Sequence, residues 1–293
     1  MVKKRGSKMF RIGLLDENLY NWHTMHYPHY LQLAAKLYGY DIVVAAACAT
    51  KADESESKRW CEEYKMEYCQ TPEKLIACSD GIMVMAADEC GGHEGLAKPA
   101  LESGKPVFCD KTFAPDYAAA ARMFALAKAH GTPVFSCSSQ RFCMELLSWK
   151  QRYGTPYRVV SQGPGDLRNY SVHQYEMMEH LMGIGAKRCI AFGGEDARHI
   201  LYEYANGRTA QMTQMMPAIP FRLTVYKQEN APGEDVAVTD HYMTLMLALC
   251  RFFCEGALPV LPEDTLEIMA MQEAGRRACE RFGTWISLQP IRK

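Results

Sequence analysis

The stretch GKPVFCDKTF, residues 104–113, ends an apolar run with a carboxylate and an amine side by side, Asp110 and Lys111. A lysine at the end of a strand in an α/β fold stands where such folds bind ligands. There it could donate a hydrogen bond to a substrate oxygen or, partly desolvated, shuttle a proton. The ordinary alternative is a solvated loop lysine beside a carboxylate. A second stretch, NYSVHQYEMMEH at residues 169–180, read as a helix, sets Asn169, His173, Glu176 and His180 at i, i+4, i+7 and i+11 on one face. His173 would then be a general acid or base and Glu176 its orienting partner, and the alternative is a polar surface stripe. As a metal site, His-x2-Glu-x3-His lacks any further ligand.

The third stretch is RIGLLDENLYNWHTMHYPHY, residues 11–30. The apolar lead-in from Phe10 to Leu15 predicts a buried strand, and a helical pattern follows from about Tyr27. Between them a nucleotide-binding chain of this size would carry G-x-G-x-x-G; this one has Gly13, then Asp16, Glu17, Asn18 and histidines. His23, His26 and His29 recur every third residue, but no cysteine or carboxylate has the spacing to complete a metal site, and none is expected. The first turn of a helix, with Asn18 or Asn21 as its cap, is the plainer reading.

These residues need strands and helices to position them. Through about residue 140, FRIGLL, YDIVVAAAC, DGIMVMAA, KPVFCD and TPVFSCS have the composition of buried strands. Between them HYLQLAAKLYGY, SESKRWCEEYKM, EGLAKPALESG and DYAAAARMFALAKAHG have helical spacing. Apolar strands alternating with helices imply a parallel sheet covered on both faces. After SSQRF the texture changes. YRVVSQGP, AKRCIAFGG, HILYEYANGRTAQMTQ and FRLTVYKQ predict strands joined by turns such as Asn206-Gly207, as in an antiparallel sheet. YSVHQYEMMEHLMG predicts a helix among them, and two more close the chain. The expected fold class is α/β. Residues 1–140 would be a nucleotide-type parallel-sheet domain, and residues 141–293 an α+β domain with an open, mostly antiparallel sheet for substrate binding and oligomerisation. Ligand is expected beyond the strand C-termini.

Composition narrows the partners. With 293 residues, 48% hydrophobic, 23% charged and net charge −1, the chain has no field to gather nucleic acid or anionic lipid. No stretch approaches the length of a membrane span, and the basic start runs into too short an apolar segment for a secretion signal. Twelve cysteines are scattered through apparent core segments with no C-x-x-C pair, as buried thiols of a reducing cytoplasm would be.

The run HEGLAKPALESGKPVFCDKTFAPDYAAAARMFALAKAHGTPVFSCSSQRF resembles the glucose-fructose oxidoreductase, inositol dehydrogenase and rhizopine-catabolism family, Gfo/Idh/MocA. NYSVHQYEMMEHLMGIGAKRCIAFGG resembles the family's helix with the active-site histidine and the strand after it. ANGRTAQ resembles a following hairpin, and YMTLMLALCRFFCEGALPVLPEDTLEIMAMQEAGRRA the closing helices. The resemblance implies a Rossmann-like first domain that binds NAD or NADP, and oxidation or reduction of a secondary alcohol of a sugar, cyclitol or related polyol. It also implies a homodimer or higher homo-oligomer formed through the second-domain sheet. By position, Asp110-Lys111-Thr112 replaces the family's Glu-Lys-Pro, which makes Lys111 the contact for substrate hydroxyl and nicotinamide ribose. His173 matches the family's proton acceptor; Asn169 and Glu176 stand where many members have Asp.

The departures set up a choice. Without the glycines the close approach of backbone to pyrophosphate is lost, and an anionic side chain aimed at a diphosphate costs ~1 kcal/mol or more. The second strand ends without an acid for the ribose; Asp53 lies several residues too late. Some branches of the family begin with an Asp-x-x-His-like turn, which Asp16 with His23 resembles. Either the dinucleotide is held by Gly13, Asp16, Asn18, Ala86, Ala87, His93, Asp110, Lys111 and Arg141, or the pocket has lost it. In the second case it retains a sugar-like ligand, for cofactor-free isomerase or lyase chemistry or for binding alone.

Overall fold

The computed structural model describes residues 9–86, 92–217 and 219–291, which divide into two compact units. The first comprises residues up to Ala114, then Ala119–Ser136 and Met243–Leu261. Its sheet holds β1 (Phe10–Asp16), β2 (Ile42–Ala49), β3 (Glu67–Tyr68), β4 (Gly81–Val84), β5 (Val107–Cys109) and β6 (Val134–Ser136), all parallel, in the order β3-β2-β1-β4-β5-β6. Ile12, Leu14, Leu15, Ile82, Met83 and Val84 are fully buried, as strands covered on both faces must be. The crossovers are α1 (Trp22–Tyr38), α2 (Glu54–Glu63), α3 (Pro72–Cys78), α4 (His93–Leu101) and α5 (Tyr117–Ala129).

Two packing details fix this unit. At Gly13 an added Cβ would meet Ser79 Oγ at 2.5 Å and Leu75 Cγ at 2.8 Å, so this glycine lets α3 lie close against β1. Phe252 and Phe253, from residues far along the chain, pack on Phe135 and Phe10 with ring centroids 4.8 and 5.7 Å apart. Each such buried ring contributes roughly 1.5–3 kcal/mol.

The second unit comprises Pro115–Ala118, Cys137–Tyr242 and the residues from Pro262 onward. It opens with a short 3-10 turn, Ser139–Phe142, and α6 (Met144–Tyr153). Then come β7 (Arg158–Pro164), α7 (Ser171–Met182), β8 (Arg188–Gly193), β9 (Ala197–Glu203), β10 (Thr209–Met215), β11 (Arg222–Tyr226) and β12 (Glu234–Val236). Helix α8 (His241–Glu255) lies mostly in the first unit; α9 (Pro262–Cys279) and β13 (Ile286–Ser287) complete the second. The sheet order is β12-β11-β7-β10-β9-β8-β13, antiparallel except for β7 beside β10. The β9–β10 hairpin turns through Asn206 and Gly207, at φ of 60° and 72°, the left-handed pair that Asn-Gly supplies. Every second residue of β7 and β10 is buried, among them Val159, Ser161, Ala210 and Met212, and Ile200 and Tyr202 are buried on β9. Those side chains line the core beneath α7 and α9.

Candidate active site

In the first unit the strand order reverses between β1 and β4, the place where an open parallel sheet leaves a crevice at its C-terminal ends. Asp16 ends β1 there, buried. Its Oδ1 accepts from the N–H groups of Glu17 and Asn18 at 2.6 and 3.2 Å, and its Oδ2 accepts from Asn21 Nδ2 at 3.0 Å. Asn18 Oδ1 accepts from Tyr20 N–H at 2.8 Å. Asn21 caps α1: its Oδ1 accepts from His23 and Thr24 N–H, both at 3.1 Å, while its own N–H donates to Thr24 Oγ1 at 3.4 Å. The cap thus falls on Asn21, and the helix begins at Trp22, five residues before the apolar pattern suggests. His23, His26 and His29 are residues of its first turns. His26 stacks on Trp22 at 4.4 Å and His23 on Tyr27 at 4.9 Å. Burial lifts the Asp16 carboxyl to about 6 against the opposing pull of its hydrogen bonds.

Asp110 follows β5 and is fully buried. A short bond joins its Oδ2 to His23 Nδ1, while its Oδ1 has no hydrogen-bond partner among the described residues. Burial opposes its charge, but His23, then Lys111 and His93, hold the carboxyl below its usual range. Lys111 is partly buried, and its peptide bond to Thr112 is cis. His93, at the start of α4, is wholly buried; its Nε2 lies 3.0 Å from Met85 O, and burial pushes its pKa down. Ala86 follows β4 with φ of 28°, and Ala87 lies outside the described residues. Asp53 caps α2 through the N–H groups of Ser55 and Glu56 at 2.8 and 3.4 Å.

In the second unit His173 sits in the first turn of α7, partly buried, with its Nδ1 2.6 Å from Ser138 Oγ. Tyr170 and Phe221 meet the imidazole edge-on at 5.5 and 5.6 Å. Glu176 reaches His173 by way of Ser138, whose N–H donates to Glu176 Oε1 at 3.0 Å. Arg141, buried, donates to Glu176 Oε2 at 3.3 Å and to Glu179 Oε2 at 2.5 Å, and lies 3.7 Å from Asp264. Burial raises the Glu176 carboxyl to about 7 although Arg141 and the Ser138 N–H favour its charge. Burial, then Arg141 and Lys150, drive His180 down to about 3, which keeps it neutral. Asn169 precedes α7, exposed, its N–H on Asp166 Oδ1 at 2.8 Å. The helical register is right for His173, Glu176 and His180, but their surroundings differ: one imidazole on a serine, one carboxylate in a buried ion cluster, one imidazole buried and neutral.

Ser138 and His241 are what sequence reasoning missed. His241 Nδ1 lies 2.9 Å from Ser139 Oγ, so consecutive serines carry two histidines from distant segments. The SCSSQRF run holds the only signal, and spacing alone does not say which hydroxyl meets which ring. A cavity of about 540 Å³ in this unit is lined by Ser161, Gln162, Thr213, Phe221, Arg222 and Asp235 among others, and so shares Phe221 with the His173 contact.

One unit has a switch-point parallel sheet of the Rossmann-like kind, and the other an open, mostly antiparallel mixed sheet. Residues 23–137 match the model of the oxidoreductase family with an NAD-binding Rossmann fold, GFO_IDH_MocA, the family that the sequence resembles. No curated protein matches the chain. Among solved structures, a probable dehydrogenase from Thermotoga maritima is similar at TM-score 0.78 and 16% identity, over 95% of this chain and 98% of that one. The scyllo-inositol dehydrogenase from Lactobacillus casei, with bound NAD(H) and scyllo-inositol, is similar at TM-score 0.77 and 14% identity, over 96% and 99%. An oxidoreductase from Agrobacterium radiobacter, in complex with NAD+, L-tartaric acid and magnesium, is similar at 0.77 and 13%, over 96% and 98%. At these identities the likeness is one of fold.

The β1–α1 turn does not fit a diphosphate in the manner of a glycine-rich loop. Six backbone N–H groups, of Glu17, Asn18, Tyr20, Asn21, His23 and Thr24, already donate to Asp16, Asn18, Thr24 and Asn21 side chains. A phosphate needs such donors unengaged. Beyond the strand ends, Thr50 N–H donates to Asp16 O and Lys51 N–H to Glu17 O, both at 3.0 Å, and Lys51 Nζ lies 2.7 Å from Glu17 Oε2. The ground usually given to a ribose is occupied by this pairing. Gly13 serves packing, Asp16 and Asn18 the turn, and Arg141 the buried ion cluster.

Proposed function

We propose that the protein is an oxidoreductase of this family acting on a secondary alcohol or ketone of a sugar, cyclitol or related polyol. Lys111 polarises the substrate oxygen, and His173 exchanges the hydroxyl proton as general acid or base. The observation that carries the reading is the family match over residues 23–137, which includes Asp110-Lys111-Thr112. NAD or NADP would supply or take the hydride. With the β1–α1 turn satisfied internally, the groups left for it in the first unit are those after β4 and β5: Ala86, Ala87, His93, Asp110 and Lys111. A cavity of about 540 Å³ in the second unit, lined by polar side chains such as Gln162, Arg222 and Asp235 among apolar ones, has room for a small polyhydroxylated ligand. Ser138 gives His173 a partner that can donate or accept, so the imidazole retains a hydrogen bond in either protonation state. Asn169 and Glu176 complete the reading as ligand-facing amide and supporting carboxylate, and association into homo-oligomers is assigned to the second-unit sheet.

The turn itself favours a second reading. With the phosphate-binding donors engaged, the same side chains would move a proton next to a carbonyl, as in a cofactor-free isomerase or lyase, or hold a sugar-like ligand without reaction. Titration of the protein with NADH and then NADPH, following energy transfer from its tryptophans, separates the two. Saturable binding supports the oxidoreductase and directs a screen of polyols. No binding of either nucleotide, confirmed calorimetrically, overturns it in favour of the cofactor-free reading.

A further inference from the structure

We propose that Glu67, Cys69 and Cys78 form a binding site for a thiophilic divalent metal ion of the zinc type, at the β3 edge of the first sheet. One ligand atom from each residue lies within 4.8 Å of the other two. The sulfurs are 3.6 Å apart. Two zinc–sulfur bonds of about 2.3 Å at the tetrahedral angle separate their sulfurs by about 3.8 Å, whereas a disulfide requires about 2.05 Å. The pair is therefore spaced for a shared ion without rearrangement of the backbone, and the convergence of a carboxylate on the two thiols has no part in a disulfide.

The three residues are held by elements that do not depend on the ion. Cys69 N–H donates to Ala47 O at 2.9 Å, which fixes the residue against β2. Cys78 is the last residue of α3. Arg11 on β1 ties both sides together, donating through Nε to Cys78 O at 3.3 Å and through Nη2 to Glu67 Oε2 at 3.2 Å. That is the outer-shell support expected of a ligating carboxylate. It also balances charge: two thiolates and a carboxylate carry three negative charges, which the divalent ion and the Arg11 guanidinium offset. Without the ion, Cys78 Sγ–H donates to Leu75 O at 3.3 Å and the two sulfurs lie within hydrogen-bond reach of each other at 3.6 Å. Binding forms two metal–sulfur bonds and one metal–oxygen bond and releases two protons to solvent. Cys69 is buried, Cys78 partly buried and Glu67 exposed, so the ion enters from the Glu67 side and water completes its four ligands.

The test uses the full chain, reduced and stripped with chelator, titrated with Co(II) and then Zn(II). The expected result is one equivalent of cobalt with thiolate-to-cobalt charge-transfer absorption and tetrahedral visible bands, displaced by zinc. Cys78→Ser removes the absorption, Cys254→Ser retains it, and Arg11→Gln weakens binding about tenfold. A measurement on the wild-type chain guards against a misfolded variant: zinc should protect Cys78, and not the exposed Cys254, from iodoacetamide, read by peptide mass. No sulfur–cobalt band, a band undiminished in Cys78→Ser, or unprotected Cys78 overturns the proposal. So does recovery of Cys69 and Cys78 as a disulfide that takes up no metal once reduced.

Discussion

Asp16→Asn isolates the physics of the β1–α1 turn. The wild-type carboxyl titrates at about 6 in the folded chain, against 3.8 for an unburied aspartate. A folded pKa raised by about 2 units corresponds to roughly 3 kcal/mol. The sign follows from which form the fold prefers. Burial favours neutral Asp16, so its contribution to stability is fully present below the unfolded pKa and is lost as pH rises through about 6. Asparagine does not titrate. It also loses something, because its Nδ2 would face Asn21 Nδ2, and Asn21 cannot turn its amide round without giving up the His23 and Thr24 cap bonds. That mismatch costs about 1–3 kcal/mol at every pH. The wild-type advantage over Asp16→Asn should therefore shrink by roughly 2.4 kcal/mol between about pH 4 and pH 7.5, other titrating groups cancelling in the difference. Urea unfolding followed by fluorescence of Trp22 and Trp60, the first-unit tryptophans, measures it. An equal gap between the two proteins at both pH values would refute the assignment of a buried carboxyl with a raised pKa to this turn.

Lys111→Ala should lower kcat/KM by at least about 100-fold while the unfolding midpoint holds; retained turnover removes Lys111 from the chemistry. His173→Ala should flatten the pH–rate profile near neutrality, and an unaltered profile would rule it out as acid or base. Ser138→Ala should shift the His173 titration seen by NMR and lower kcat more than it raises KM, with Ser138→Thr restoring both; an unmoved His173 titration would deny Ser138 its positioning role. Gly275→Ala should destabilise the second unit by about 1–3 kcal/mol, because the new Cβ would meet the hydroxyls of Tyr202 and Tyr175 at 2.3 and 2.5 Å; thermal unfolding reads it, and an unchanged midpoint counts against that packing.

What the sequence revealed divides by the range of the interactions. The first-unit strands were legible because a parallel strand buried on both faces is a nearly continuous apolar run, and Asn206-Gly207 announced its hairpin through a backbone conformation few other pairs adopt. The two-residue strands β3 and β13 left no trace, being too short for any periodicity. The apolar pattern marks α1 only from about Tyr27, since Trp22, His23 and His26 carry no apolar stripe; its start was legible only through the candidate caps Asn18 and Asn21, of which Asn21, with its reciprocal Thr24 bond, is the cap. The parallel pairing of β7 with β10 could not be read, since the residues between them only imply that the chain returns. The chemistry followed the same rule. Helical register placed His173, Glu176 and His180, but Ser138 lies 35 residues from His173 and His23 lies 87 from Asp110, distances at which composition says nothing.

The Asp16 turn also explains why a chain can lose its glycines without losing its fold. A strand passing into a helix leaves several N–H donors pointing the same way, and those donors require an acceptor. In a glycine-rich loop the acceptor comes from outside as a phosphate. Here the chain carries it: the Asp16 carboxylate takes two of these N–H groups, and the Asn18 and Asn21 side chains take three more. The backbone needs no left-handed glycines here, because the turn's donors are met by the chain's own side chains. The cost is a buried carboxylate near Asp110, relieved by the Asn21 amide and by the short bond from His23 that steadies Asp110. Aspartate at the strand end, asparagine at the helix start and histidine in the first turn thus form one electrostatic unit. Replacing Asp16 alone by glycine would leave donors without an acceptor rather than recreate a phosphate loop.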